Sequence, residues 1–364
     1  MGESINRLRF DPFMAYRRSK GKMTRSRKIE PAVKTLSFFV VVPANTTSDM
    51  YIDLSQCASL VNRRFYRQGL NWAVQGMKVL STPNASTLDG SITVSKLPET
   101  WVMSNAWEKA YHAYRKMNEI ALEESESVRP RFEDFKIYAD ATHHALGYAG
   151  NMLPLGVAGA AVAGECESSK LLLPVTGPAT TTPGVTFERE MIAVGANFPG
   201  NSPVTGLNAV SLIEGYANSR ALPNALDPNR PADAQHSDGG APENWLGALF
   251  NDGSAQDADV LHVLINENNQ APYPFENDGV HVDTMYPNGE TQLTGLQIHD
   301  VEYVTGTTVG GTSRLKGGLF PCGLINLKMI NNNTEAGQTV SHTITIDLVP
   351  GTHRGYLCQP MQDM

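Results

Sequence analysis

The chain has 364 residues, which is long enough to bury a sizeable core as one large or two ordinary domains. Only 18% of the residues are charged, and the 32 glycines and 22 prolines indicate a β-rich, loop-heavy protein rather than a helical one. The four cysteines form no Cys-x-x-Cys pair, so we expect reduced, mostly buried thiols. We expect neither a secretory signal nor a membrane span, because no run of residues is apolar enough.

Charge is distributed very unevenly along the chain. Residues 1–34 contain ten basic and three acidic residues, a net charge of +7, while the remaining 19 basic and 34 acidic residues give −15. This asymmetry predicts a basic arm at residues 1–34, disordered by itself, and an acidic folded domain at residues 35–364. The arm residues predicted to bind nucleic acid are Arg7, Arg9, Arg17, Arg18, Lys20, Lys22, Arg25, Arg27 and Lys28.

The side chains of this arm suit a polyanionic partner. Arginine and lysine can neutralise phosphates and release counterions without reading a base sequence. Phe10, Phe13 and Tyr16 lie among the charges, and each ring could stack on an unpaired base for about 1–3 kcal/mol. A nuclear import address within RRSKGKMTRSRK and a merely solvated tail are the alternatives.

Strand-like runs begin directly after the arm. Residues 33–42 (VKTLSFFVVV) are β-branched and aromatic and end at Pro43, which predicts a first strand. Residues 341–349 (SHTITIDLV) alternate polar and apolar side chains, which predicts a strand with one buried face. Asn288 and Gly289 predict a hairpin turn. The other predicted strands are residues 72–80, 91–97, 135–138, 187–194, 260–265, 280–285, 293–303 and 319–330.

One helix is predicted within residues 100–130. Its clearest part is 104–124, with Asn105 as the expected N-cap. Side chains three or four residues apart form one face, which we expect to pack against a sheet, with base stacking as the alternative. The members of this face are Trp107, Tyr111, Tyr114, Asn118 and Ala121.

Residues 145–255 are rich in Gly, Pro, Thr and Asn, which predicts long loops rather than a second domain. About ten strands, one helix and long loop insertions predict an all-β sandwich, and a single jelly roll of two antiparallel sheets fits this number. The acidic stretch 227–259 could hold calcium, although a solvated loop is the preferred interpretation. Its carboxylates belong to Asp227, Asp233, Asp238, Glu243, Asp252, Asp257 and Asp259.

A search for catalytic motifs finds no phosphate-binding glycine loop, dinucleotide fingerprint, nucleophile elbow or zinc-binding His-Glu-x-x-His. His143 and His144 would point to opposite faces of a strand, so we expect ordinary histidines rather than a metal site. The His-x-His pair that a cupin-type enzyme would use is also missing. We therefore predict no enzymatic activity, no cofactor and no metal.

Three segments carry a resemblance to a known family. They are TWVMSNAWEKAYHAYRKMNE (residues 100–119), RFEDFKIYADATHH (131–144) and ITIDLVPGTHRGYLCQPMQDM (344–364). Together with the arm, they resemble the coat proteins of small circular Rep-encoding single-stranded DNA viruses, although the arm is shorter and less arginine-rich than in many of those coats. The resemblance implies a single jelly roll, icosahedral self-assembly and packaging of circular single-stranded DNA.

The sequence thus predicts a structural capsid protein that assembles into a shell of roughly 60 or more copies. Its second partner would be genomic nucleic acid, with single-stranded DNA favoured over RNA, and no membrane is involved. We expect it in the virion and, during assembly, in the host nucleus or cytoplasm. The alternatives are a jelly-roll carbohydrate-binding or cupin-like protein with an incidental basic tail, a cellular nucleic-acid-binding protein and an unrecognised hydrolase.

Overall fold

The computed structural model describes residues 31–83, 89–123, 134–156, 159–164, 166–174, 186–197, 209–221, 295–305, 311–334 and 337–364. From Ala32 onward these belong to one unit, Ala32–Met364. The strands are β1 (Thr35–Val42), β2 (Thr46–Asp53), β3 (Leu70–Pro83), β4 (Asp89–Lys96), β5 (Leu155–Gly156), β6 (Gly159–Ala160), β7 (Lys170–Pro174), β8 (Thr186–Ile192), β9 (Ala209–Ser211), β10 (Gln297–Thr305), β11 (Thr312–Phe320), β12 (Leu324–Asn331), β13 (Val340–Leu348), β14 (Pro350–Gly351), β15 (Gly355–Tyr356) and β16 (Cys358–Pro360). The α-helices are α1 (Leu54–Asn62), α2 (Trp101–Glu123), α3 (Ala141–Leu146) and α4 (Leu212–Ala221).

Eight long strands form two antiparallel sheets. Sheet A has the order β1-β13-β3-β11, with β16 paired to the start of β3, and sheet B has the order β10-β4-β12-β2. The first four strands pair with the last four long strands in reverse order: β1 with β13, β2 with β12, β3 with β11 and β4 with β10. The expectation of a mainly β protein built from antiparallel sheets is confirmed.

The main hydrophobic core contains side chains from both sheets. In sheet A, Phe38 lies opposite Ile344, which in turn lies opposite Val79. All three are fully buried in the same cluster as Ile92 and Leu327 of sheet B. The alternation of β13, in which every second residue is buried, follows from the two-residue period of a strand with one face against a core.

A second hydrophobic cluster lies under α2. Tyr51 belongs to it, whereas the next residue, Ile52, belongs to the main core, because neighbouring side chains of a strand point to opposite faces. From the predicted face, Trp107 is buried, stacks on Tyr111 at 5.0 Å and packs edge-on against Phe135. Tyr114 and Asn118 are half-buried. The residues of α2 that are buried most completely are Val102, Met103, Ala106, Trp107, Ala110 and Ala113.

Helix α2 begins earlier than the sequence predicted. Its first residue is Trp101, and the side-chain oxygen of Thr100 accepts a hydrogen bond from the backbone N–H of Met103 at 3.4 Å. Asn105, the predicted N-cap, lies inside the helix, where its side-chain amide donates to the hydroxyl of Tyr216 on α4. The apolar residues 101–103 are therefore part of the helix because they join the second cluster, which the local pattern did not indicate.

Several predicted strands are confirmed, with shifted ends, as β1, β3, β4, β8, β10 and β13. Residues 135–138 form no strand, only an isolated bridge between Tyr138 and Ile192. The run 319–330 is divided between β11 and β12 by a short 3-10 helix, Pro321–Gly323, in which Cys322 has a φ of 56°. The predicted strands at 260–265 and 280–285 and the turn at Asn288 lie outside the described residues.

The expectations of a single helix and of mainly long loops in 145–255 need correction. The described residues contain four α-helices, one of which, α4, lies inside this region. Strands β7, β8 and β9 form a small sheet there, and α4 packs on α2 in the second cluster. Among the described helices, none has the length and apolar character that crossing a bilayer requires.

Candidate nucleic-acid interface

The predicted nucleic-acid-binding residues all lie outside the described part of the chain. These are the nine basic residues between Arg7 and Lys28 and the three aromatic residues Phe10, Phe13 and Tyr16. The acidic stretch 227–259, considered as a calcium site, also lies outside the described residues. The structure does describe the last residues of the arm, from Pro31 onward, and the surface that surrounds them. The candidate interface is therefore the described surface around the residues that connect the arm to β1.

The arm is anchored just before β1. The backbone N–H of Val33 donates to the side-chain oxygen of Asn62, the last residue of α1, at 3.0 Å. The hydroxyl of Tyr356 donates to the carbonyl of Val33 at 2.6 Å and accepts from the side-chain amide of Asn62 at 2.7 Å. Gly355 allows this close approach, because a Cβ there would lie 2.5 Å from the side chain of Ala32. The backbone at the start of the folded body is consequently held against α1 and β15.

Four arginines belong to the segments that hold Val33, and we refer to Arg63, Arg64, Arg67 and Arg354 as the arginine cluster. Three of them follow α1 directly, and Arg63 ends that helix in the left-handed conformation with a φ of 52°. The fourth comes from the turn between β14 and β15, almost 300 residues later in the chain. Its guanidinium donates to the carbonyl of Phe65, and its own carbonyl accepts from the hydroxyl of Tyr66 at 3.1 Å. These two bonds hold Arg354 against the segment that contains the other three.

Three of the four arginines are not balanced by described carboxylates. Arg63, Arg67 and Arg354 form no ion pair with any aspartate or glutamate in the described ranges. Burial, and then the charges of Arg354 and Arg67, lower the pKa of His353, which keeps that imidazole neutral at pH 7. The side chains of Arg63, Arg67 and Arg354 are exposed, so an anion from solution can reach them.

Guanidinium groups suit phosphate recognition because their planar donors form paired hydrogen bonds with phosphate oxygens. The rings of Tyr66 and Tyr356 are not available for base stacking, since each is only 1% exposed and packs against Trp72 in the core. The chemistry that this surface offers is thus contact with phosphates, without readout of bases.

A second basic group lies on the outer face of sheet A. Lys78 and Arg314 are register neighbours on β3 and β11, and Lys316 follows on the same face. Lys78 lies 3.8 Å from Asp347, and Lys316 lies 3.7 Å from Asp300. Two of these three positive charges are therefore partly compensated, in contrast to those of Arg63, Arg67 and Arg354.

The structure places His143 and His144 on helix α3, not on a strand. Both are fully buried and have separate partners: Nε2 of His143 lies 2.7 Å from Oδ1 of Asn151, and Nε2 of His144 lies 2.5 Å from a carboxylate oxygen of Glu190. Nδ1 of His143 accepts from the backbone N–H of Ala139, and burial lowers the pKa of this histidine to about 4. Within the described ranges, no three His, Cys, Asp or Glu side chains are arranged to hold a metal ion.

The cysteines are all free thiols in the structure. Cys57 and Cys322 are buried, and Cys166 and Cys358 are half-buried. Burial raises the pKa of the Cys358 thiol to about 12, so it stays protonated at neutral pH.

Sequence reasoning missed the arginine cluster. The signal it could have used is the run RRFYR at residues 63–67, which contains three arginines in five positions. The contribution of Arg354 had no local signal, because only the folding of the C-terminal hairpin brings it to this segment.

Comparisons with known proteins give no assignment. No protein-family model, no curated protein and no solved structure matches this chain. A functional conclusion must therefore come from the residues and their geometry.

Proposed function

We propose that this chain is the coat protein of a small virus, a structural protein without catalytic activity that assembles into an icosahedral shell of roughly 60 or more copies. Its basic arm would package the genome, which we propose to be single-stranded DNA. The protein would reside in the virion and, while shells assemble, in the host nucleus or cytoplasm.

The strand order is the observation that carries this proposal. We propose that sheets A and B form a single jelly roll, an architecture found in viral capsid and lectin domains and in cupins. Strands β1 to β4 pair with the last four long strands, β10 to β13, in reverse order. This is the pairing that results when one long antiparallel hairpin is rolled up. Consecutive strands also alternate between the sheets, since β1 and β3 lie in sheet A, and β2 and β4 in sheet B.

The charge distribution supports the coat role over the other jelly-roll functions. A shell must attract a polyanion to its inside while its densely packed subunits stay soluble. A cationic arm of +7 on a body of −15 meets both requirements. The first residues of the body lie beside positive charge, because Val33 bonds to Asn62, the neighbour of Arg63, and Arg63 has no carboxylate partner among the described residues.

The proposal is tested by purifying the full chain and imaging it by negative-stain electron microscopy. We expect uniform spherical particles whose ultraviolet absorbance ratio indicates nucleic acid. DNase, but not RNase, should digest the nucleic acid that is extracted from these particles. As a matched control, the nine basic arm residues are changed to glutamine, which should leave shells that contain little or no nucleic acid. A protein that remains monomeric or dimeric and binds no oligonucleotide would contradict the proposal.

A further inference from the structure

We infer that the arginine cluster is a second phosphate-binding site for single-stranded nucleic acid, located on the folded body and separate from the arm. This inference rests on the proposed function and deepens it, because it names a surface of the body that contacts the genome. It further implies that the end of the body bearing α1 and the β14–β15 turn faces the interior of the shell.

Uncompensated charge is the first argument. Arg63, Arg67 and Arg354 are exposed and have no carboxylate partner among the described residues. A phosphate that binds there displaces water and counterions, but it does not have to break an existing ion pair. On sheet A the situation differs, since Lys78 and Lys316 already have acidic neighbours.

Rigidity is the second argument. Arg63 is fixed by its position at the end of α1, and Arg354 is fixed by its bonds to Phe65 and Tyr66. Guanidinium groups on a fixed backbone lose less conformational freedom on binding than the same groups on a disordered chain. A phosphate contact at the cluster therefore needs less ordering of the protein than a contact with the arm.

Continuity with the arm is the third argument, and it identifies the occupant. Asn62, which binds the backbone of Val33, is the immediate neighbour of Arg63. A nucleic-acid strand that the arm has captured is thus tethered next to the cluster, where its local concentration is high. Because the nearby tyrosine rings are buried, the cluster should bind phosphates of any base sequence.

The test uses the full chain with two substitutions, Arg63→Asn and Arg67→Gln. Asparagine tolerates the left-handed conformation of residue 63, and both side chains are exposed, so the fold should persist. The matched control is Arg314→Gln with Lys316→Gln, which removes the same charge from the outer face of sheet A. Binding of a fluorescent oligothymidylate is measured by anisotropy at several salt concentrations, with the assembly state of each variant checked by sedimentation.

The slope of log K against log salt should become shallower by about 1.4 in the cluster variant, because two phosphate contacts with a single strand are lost. The control should keep the slope of the unmodified chain. An equal change in both variants would mean that only net charge matters, and no change in the cluster variant would mean that the site does not exist. Either result overturns the inference.

Two further measurements separate the remaining explanations. If the cluster variant loses binding to heparin while its oligothymidylate slope is unchanged, the cluster is a site for sulfated glycans and the inference is wrong. A variant with Arg17→Gln and Arg18→Gln tests the arm itself. If that variant binds the oligonucleotide normally while the cluster variant does not, the proposed role of the arm fails and the inference about the cluster stands.

Discussion

Replacing Gln68 by leucine should destabilise the folded body strongly. This side chain is fully buried and connects three parts of the chain. Its oxygen accepts from the backbone N–H of Ile137 at 2.7 Å, and its nitrogen lies 3.2 Å from a carboxylate oxygen of Asp53, 3.1 Å from the carbonyl of Ile137 and 3.0 Å from the hydroxyl of Tyr148. Leucine has a similar volume but can form none of these bonds.

The magnitude follows from which groups are left without partners. The N–H of Ile137 becomes an unpaired buried donor, which costs about 1–3 kcal/mol. The side chain of Asp53 also loses the hydrogen bond that the amide of Gln68 donates to it, and a hydrogen bond to a carboxylate is worth about 1.5–3 kcal/mol. The carbonyl of Ile137 keeps a donor, because the hydroxyl of Tyr148 bonds to it at 2.7 Å. The expected loss in the free energy of unfolding is therefore about 2.5–6 kcal/mol.

Urea unfolding at one fixed protein concentration measures this loss, because any self-association would make the apparent stability depend on concentration. With a slope of about 3 kcal/mol per molar, the midpoint should fall by about 0.8–2 M. Gln75→Leu is the matched control, since this glutamine of β3 is exposed and its replacement should change stability by less than about 0.5 kcal/mol. A loss below about 1 kcal/mol for Gln68→Leu would refute the reasoning, because the network would then contribute little to stability.

Two further predictions concern buried side chains of sheet A. Phe38→Ala should lower the free energy of unfolding by about 3–5 kcal/mol, because Phe38 is fully buried. Phe39→Ala should change it little, because the side chain of Phe39 is 52% exposed. Similar urea midpoints for the two variants would contradict the assignment of Phe38 to the buried face of β1 and of Phe39 to its exposed face. The body should also lose stability as the pH falls from about 6.5 towards 4. Burial lowers the pKa of His342 from 6.5 to about 4. Over this range the unfolded chain therefore binds a proton that the folded chain does not. The stabilisation by this histidine is complete above pH 6.5. His342→Asn can keep the hydrogen bond to Ser81 and should make the urea midpoint less dependent on pH. An unchanged pH dependence would show that the imidazole is not the group responsible.

The sequence alone was sufficient for features that depend on local pattern. Strands β1 and β13 were predictable because their side chains alternate or are β-branched, and one face of each is buried against the other sheet. The charge of the arm was predictable because it is a property of composition. Strand β2 and helix α1 were missed, since the start of β2 is polar and the helix is short and capped by the buried Asp53.

Only the tertiary structure decided which distant segments meet. Three features join parts of the chain that are far apart in sequence. They are the pairing of the strands in reverse order, the packing of α2 and α4 in a second hydrophobic cluster, and the contact of Arg354 with residues 63–67. The physical reason is that periodicity reports which face of a segment avoids water, whereas partner choice depends on the packing of many segments at once. The basic arm could therefore be found by reading the chain, but the basic surface beside it became visible only in the fold.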